Sequence, residues 1–418
     1  MKKILVISYY WPPSGGGGVQ RITKFCKYLS EFGWEPYVIT APKQKFISID
    51  DSFLKDVKNL KVFHTSQPKE SKKTTIKNIS KSKLKVYFNW LKSFIRVNFM
   101  IPDSKIFWYF SALKIGKQLL KTESFDIIFS TSPPYTTQLV ARKLKKLSKI
   151  KWVVDFRDPW VENIYYNNVY RFKFVKLINR ILERNVLNDC DRIITIGDNL
   201  KQMLSHKTSN KIDVVHNGCD PIDFPENITK SDKFIIGYYG SLNEYQISKS
   251  FLKVIASFAV KNPKLYNDIE FHLSGTQTPD ALRIIYGIIP NQKIINHGYL
   301  NHDVLTKILS REQLLLQLIH NQHDNQVIIG SKVYEYIYSG NPILCLSSKD
   351  TEAVDVITKS NAGVVFDYDD KTKIEQYILE QYNNWGNGKL NFGRRRIKEY
   401  MRFNQAKLLS DIFNEVID

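Results

Sequence analysis

Short runs of β-branched and aromatic residues recur along the chain. Each is followed by turn residues and then by apolar positions three and four apart. ILVIS at 4–8 is the first, and YVIT at 37–40 follows a helix predicted from about Val19 to Phe32. KVFH around Val62, DIIFST at 126–131, KWVVDF at 151–156, RIITIG at 192–197 and IDVVHNG ending at Gly218 complete a first series. A helix predicted over 135–146 carries Leu139, Val140, Leu144 and Leu147 on one side. After a polar break, PENITKSDK at 225–233, a second series begins with FIIGYYG and a helix near 250–261. It continues through IEFHLSG, KIINHGYL, a strand around 314–319, PILCLS at 342–347 and GVVFDY near Gly363. Strands that alternate with helices predict parallel β-α-β units, so two α/β units are expected in tandem. The last stretch, 392–418, reads as one helix by the spacing of Ile397, Tyr400, Met401, Leu408, Leu409, Ile412 and Phe413.

One segment departs from this rhythm. Residues 69–85 are rich in Lys, Ser and Thr and read as an exposed loop. Beyond them Leu84, Tyr87, Phe88, Leu91, Phe94, Ile95 and Phe99 recur at helical steps, with Lys85, Lys92 and Arg96 between them. A basic, aromatic, amphipathic helix fits the plane of a membrane interface. It fits equally a helix packed on its own domain with its basic face in water.

The length of 418 residues suits two domains of roughly 200 each. No apolar run approaches the roughly 20 residues that span a bilayer. The N-terminal apolar run is short and leads into a Gly-rich turn, so it reads as a buried strand rather than a signal peptide. Cys26, Cys190, Cys219 and Cys345 show no metal-like spacing and read as reduced thiols. The 61 basic and 41 acidic residues give a net charge of +20. That balance suits an anionic partner (a membrane face, a phosphorylated substrate or a nucleic acid), or a lysine-rich surface with no specific partner.

Three short motifs carry candidate chemistry. WPPSGGGGVQR at 11–21 puts Gly15 to Gly18 between a strand and a helix. There the backbone can approach a ligand and a helix N-terminus can face an anion. The run is neither GxGxxG nor GxxxxGK[ST], and no acidic residue closes the second predicted strand, which disfavours a nicotinamide enzyme or a P-loop ATPase. DFRDPW at 155–160 closes a predicted strand, so Asp155, Arg157 and Asp158 are expected to face a cleft. Asp158 is the candidate for contact with sugar hydroxyls; an Asp155–Arg157 ion pair with a turn is the other reading. GSKVYEYIYSGNPIL at 330–344 puts Lys332 and Glu335 on one helix face. Lysine there can meet a phosphate and glutamate a ribose diol, or the two can simply pair.

In this order and spacing, GGGGVQR, TSPPY, DFRDPW, VVHNGCD, IIGYYGSL and SKVYEYIYSGNPIL resemble glycosyltransferase family 4. With IPDSKIFWY the chain is similar to a bacterial branch that builds surface polysaccharides. The resemblance implies the GT-B fold, two Rossmann-like domains facing across a cleft. The expected divisions are 1–225 for the acceptor, with the basic insertion at about 69–110, 226–390 for the nucleotide-sugar, and a C-terminal helix at 391–418 that crosses back. It implies a retaining transfer without metal or cofactor, from a nucleotide-sugar, UDP-linked by expectation, to a lipid-linked or glycan acceptor. The expected location is cytoplasmic, on the inner face of an anionic membrane, with no nucleic-acid partner.

The implied donor residues are Gly16, Gly17, Gly240, Ser241, Gly298, Tyr299 and Glu335. Asp158 and Lys332 are the implied catalytic pair, and Tyr135, Arg157 and Trp160 the implied acceptor contacts. Asn217 and Gly218 match the turn that ends the first domain. Three positions depart from the family pattern. Val327 stands at the usual first glutamate, Ser241 at a frequent arginine, and Ser132 and Pro133 where many members carry a histidine. Lys249 or Lys332 is then left to meet the phosphates. The acidic pairs Asp50–Asp51 and Asp369–Asp370 are expected in surface loops rather than at a metal. A sugar-nucleotide epimerase, a basic nucleic-acid-binding protein and a silent scaffold are the competing readings.

Overall fold

The computed structural model describes residues 1–42, 48–66, 83–162, 170–229, 231–319, 329–347, 351–390 and 397–418. Val327 and most of the loop at 69–85 lie outside them, as do the side chains of Leu84, Lys85, Tyr87 and Phe88.

The first half is built from β1 (Lys2–Ile7), α1 (Gly17–Leu29), β2 (Trp34–Thr40), β3 (Lys61–His64), α2 (Lys83–Phe99), α3 (Trp108–Thr122) and β4 (Ile127–Ser132). It continues with α4 (Thr136–Ser148), β5 (Lys151–Phe156), α5 (Lys173–Asp189), β6 (Arg192–Thr195), α6 (Asp198–Ser205) and β7 (Ile212–Val214). All its strand pairs are parallel, in the order β3-β2-β1-β4-β5-β6-β7. Helices cover both faces of such a sheet, so its strands bury both sides. Ile4, Leu5, Val6 and Ile7 are accordingly all fully buried.

The second half comprises β8 (Phe234–Tyr239), α7 (Lys249–Lys261), α8 (Pro263–Asp268), β9 (Ile269–Ser274), α9 (Pro279–Tyr286), β10 (Ile294–Asn296) and α10 (His302–Leu309). β11 (Leu314–Leu318), α11 (Lys332–Ser339), β12 (Ile343–Leu346), α12 (Glu352–Lys359), β13 (Gly363–Phe366) and α13 (Lys371–Gly386) follow. Its parallel sheet has the order β10-β9-β8-β11-β12-β13. Both sheets therefore reverse direction beside their first strand, β1 and β8. Doubly wound sheets bind ligands at that point, beyond the carboxyl ends of the strands.

The last helix, α14 (Arg402–Ile417), returns to the first half. Phe413 packs against Trp34 and Phe129, with ring centroids 5.4 and 5.3 Å apart. Trp34 Nε1 donates to Ser410 Oγ at 3.1 Å, and Arg192 pairs with Glu415. The crossing is pinned where Cys219 N donates to Tyr400 O at 3.0 Å and Arg402 N donates to Cys219 O at 2.9 Å.

Two helical expectations need correction. The final stretch is not one helix from 392: a short 3-10 turn over Lys398–Tyr400 precedes α14, and Leu408 is exposed. In α4 the buried side is Val140, Ala141 and Leu144, while Leu147 is exposed. The apolar spacing gave the helix correctly, but Leu147 falls in its last turn, outside the buried stripe.

Candidate active site

A cleft of about 610 Å³ opens between the two halves. Its walls are the loops beyond β1, β5, β8, β9, β10 and β11, all at carboxyl ends of strands, together with the start of α11.

Two helices begin at this cleft. α1 starts at Gly17 and α11 at Lys332, and neither N-terminus carries a side-chain cap. The two starts are in close approach, because a side chain at Gly17 would run into Ser331. Free N–H groups and the positive ends of two helix dipoles are thus brought together, an arrangement that favours an anion. Gly16 sits at φ 108°, a conformation that favours glycine. Gly17→Val is expected to wedge the halves apart and weaken nucleotide binding about tenfold or more with little loss of melting temperature. Small-angle scattering and calorimetric titration would read the two effects.

Lys332 is half-buried on the opposite wall. Its Nζ lies 3.9 Å from the centroid of the Tyr238 ring, a cation–π contact. A side chain at Gly240 would press on the Lys332 stem, so glycine there leaves the amine its room. Burial pushes the Lys332 amine down to about 7, and no carboxylate offsets that. Ser241 is exposed at the cleft rim, and Tyr238 Oη donates to its carbonyl at 2.7 Å. Lys249 is exposed and is not among the cleft residues, so of the two lysines it is Lys332 that lines the cleft.

Glu335, one turn further along α11, is buried and lines the cleft. Its Oε1 accepts from Gln20 Nε2 at 2.8 Å and lies 2.7 Å from His302 Nε2. It is therefore held across the domain boundary rather than paired with Lys332. Burial opposes its ionisation, but His302, with the Gln20 hydrogen bond, holds the carboxyl below its usual value. Burial likewise opposes charging of His302, and the Glu335 carboxylate outweighs it, carrying the imidazole above its ordinary value. The tie extends through Gln20 Oε1, which accepts from Arg402 Nη2 at 3.2 Å at the start of α14.

The loop after β5 behaves differently from expectation in part. Arg157 and Asp158 line the cleft. Arg157 Nε donates to Ser132 O at 3.0 Å and its Nη2 to Pro133 O at 2.8 Å; a side chain at Gly18 would occupy the guanidinium's place. Burial pushes the Asp158 carboxyl up against the pull of Arg157. Asp155 does not face the cleft and does not pair with Arg157. It is buried beneath the sheet end, bonded to Arg21 at 3.0 and 3.1 Å and to Thr131 Oγ1 at 2.7 Å. Its side chain points to the α1 face because alternate residues of a strand point opposite ways.

Tyr135 and Trp160 are also not on this cleft. They are buried and stacked on each other, centroids 4.7 Å apart, with Tyr135 Oη donating to Pro159 O. Tyr299 lines the cleft, but Gly298 does not, its carbonyl accepting from Gly275 N and Ser274 Oγ at 2.8 Å. Asp50, expected in a surface loop, is buried at the cleft wall and accepts from His302 N at 2.9 Å. Gln20 and His302 are cleft residues that the sequence did not single out.

Residues 15–222 match the description of Glycosyltransferase Family 4. The domain that holds the glycine turn belongs to that family. The chain is a glycosyltransferase with the GT-B fold. No curated protein matches its sequence. The glycosyltransferase superposes on sucrose-phosphate synthase from Thermosynechococcus elongatus with a TM-score of 0.67 and 12% identity, covering 100% of this chain and 99% of the other. Anabaena HepE in complex with UDP-glucose gives a TM-score of 0.63 at 10% identity, covering 99% of this chain and 100% of the other. TarM from S. aureus, in complex with fondaparinux, α-GlcNAc-glycerol and UDP, gives 0.64 at 12%, with coverage of 99% and 100%. At these identities the likeness is one of fold. Among the described residues of the glycosyltransferase, no helix is long and apolar enough to cross a membrane, and no group of three His, Cys, Asp or Glu side chains could hold a metal ion.

Proposed function

We propose that this glycosyltransferase moves a hexosyl or N-acetylhexosaminyl group, with retention and without a metal, from a UDP-sugar to a lipid-linked or glycan acceptor in surface-polysaccharide assembly. The observation that carries the reading is the meeting of two uncapped helix N-termini with Lys332 in one cleft. In the reaction the bond from the sugar's anomeric carbon to the diphosphate oxygen breaks, and its electron pair leaves with the diphosphate. An acceptor hydroxyl oxygen then bonds to that carbon and gives up its proton to the departing diphosphate. Negative charge grows on the diphosphate as the transition state forms, and preorganised N–H groups and Lys332 stabilise it there. Glu335 binds the ribose diol through its carboxylate oxygens. Asp158 contacts the sugar hydroxyls, with Arg157 beside it, and Tyr299 meets the base. The acceptor enters from the first domain.

UDP in the bound state of fold relatives such as HepE and TarM makes uridine the first base to test. The test is a screen of nucleotide-sugars with and without polyprenyl-phosphate-linked sugars. Glycosidic product from one donor supports the reading. Release of an epimerised free sugar in the absence of acceptor would contradict it.

The site of action in this reading is the cytoplasmic face of an anionic membrane. Trp90, Ile95 and Phe99 of α2 are exposed, with Lys92 and Arg96 among them. Vesicles containing phosphatidylserine are expected to sediment the protein at low salt and release it at high salt, as screening weakens the attraction. Absence of binding at every ionic strength would remove the membrane from the scheme.

A further inference from the structure

Behind the loop that carries Asp158 lies a second cavity of about 230 Å³. Its lining includes Arg96, Val97 and Met100 of α2, Asp103, Trp160 and Arg171. Asn98 frames it by donating to Tyr170 O at 2.9 Å and accepting from Phe172 N at 2.8 Å. The acid in its wall is already engaged. Asp103 Oδ1 accepts from Lys105 N at 2.8 Å and Thr136 Oγ1 at 2.9 Å, and Oδ2 from Thr136 N at 2.9 Å. Trp160 Nε1 is likewise bonded to Asn179 Oδ1 at 2.9 Å. Two guanidinium groups, those of Arg96 and Arg171, also line the cavity, and Arg171 Nη2 donates to Val161 O at 3.4 Å. Forked guanidinium donors match phosphate oxygens.

The surface around this cavity is unusual. α5 turns Val175, Val186 and Leu187 inward, yet carries a second apolar stripe, Phe174, Leu177, Ile178 and Ile181, in solvent. These four recur at helical spacing, with Lys173, Lys176 and Arg180 between them. Phe172 joins the stripe to α2, its ring centroid 5.5 Å from that of Phe94 and 5.3 Å from that of Phe174. A contiguous exposed apolar face bordered by cations suits the interfacial region of a bilayer. The cavity also adjoins the chemistry. Trp160 lines it and Asp158 lines the main cleft, and two residues of chain span at most about 7 Å.

We propose that this cavity seats the phosphate or diphosphate headgroup of the lipid that carries the acceptor, its hydrocarbon chain lying along Phe99, Phe174, Leu177 and Ile181. The assignment rests on the glycosyl-transfer reading for its purpose, but not for its test. The probes are phosphatidylcholine vesicles doped with polyprenyl diphosphate, and the same vesicles doped to equal charge with phosphatidylserine. Arg96→Ala with Arg171→Ala is expected to weaken binding to polyprenyl-diphosphate vesicles about tenfold more than binding to phosphatidylserine vesicles, which loses only the general attraction of two surface cations. Phe174→Ser with Leu177→Ser is expected to weaken both. Stabilisation by UDP, which reports the main cleft, is expected to persist in both variants and shows that they fold. If it is missing in the wild type, the functional reading fails independently of this result. A parallel fall on both vesicle types in the arginine variant would overturn the headgroup site, leaving only a basic face. So would no change on either, or competition by inorganic pyrophosphate as strong as that of the lipid.

Discussion

Lys332→Met is expected to slow sugar transfer by about tenfold or more, about 1.4 kcal/mol of transition-state stabilisation, and at the same time to raise the melting temperature of the ligand-free protein. The two effects share one cause. Burial has pushed the amine down to about 7 from an ordinary value of 10.5, so the unfolded chain holds more protons than the folded one between those values. Stability then rises with pH across that window, and the cost of the lysine is fully present below about 7. Methionine keeps the stem against Tyr238 and removes the charge. The stabilisation should be largest in mild acid and shrink toward pH 10. A diphosphate supplies the missing counter-charge and raises the amine's pKa. Nucleoside-diphosphate binding by the wild type should therefore take up protons, and weaken as pH climbs above 7. A variant of unchanged turnover would remove Lys332 from catalysis, and pH-independent affinity would remove it from the phosphate site.

Glu335→Ala is expected to abolish detectable nucleotide-sugar turnover and to cost about 3 kcal/mol of stability or more, the scale of breaking a buried pair by removing one partner. The loss would leave His302 with only the more distant Asp223 carboxylate, 3.8 Å from its Nδ1, and would take the carboxylate acceptor from the Gln20 amide. Glu335→Gln separates charge from shape. In the wild type the carboxyl is held below 4.5 and the imidazole above 6.5. The glutamate's contribution is lost as pH falls below 4.5, and the histidine's is lost as pH rises through its raised value above 6.5. The pair is worth most between those limits. Glu335→Gln should flatten the decline in stability above pH 6.5, followed by chemical denaturation at a series of pH values. An undiminished slope would show that His302 does not depend on this carboxylate.

The parts of this site that could be read from sequence are those that depend on neighbours along the chain. Gly15 to Gly18 after a β-branched run mark a strand-to-helix turn wherever they occur, and Lys332 and Glu335 lie one helical turn apart whatever surrounds them. DFRDPW was legible as a strand end, but not which of its carboxylates would emerge. Arg21 decides that: it lies 134 residues away and draws Asp155 under the sheet. Gln20 meets Glu335 across 315 residues, and His302 begins a helix of unremarkable composition. Neither had a local signal, although Gln20 lies inside the glycine motif on the turn that follows it. Trp160 and Tyr135 lie off the main cleft for a related reason. Aromatic residues beside a predicted cleft suit sugar stacking and core packing alike, and here they stack on each other.

The most direct measurement is a calorimetric titration of UDP into the wild type, Gly17→Val and Glu335→Gln. One ligand bridging the glycine turn of the first domain and the carboxylate of the second predicts saturable binding in the wild type and about tenfold or greater weakening in each variant. Saturable binding that one of the two substitutions leaves untouched would contradict a shared site, and absence of binding in the wild type by UDP and every other nucleoside diphosphate would contradict the donor cleft itself.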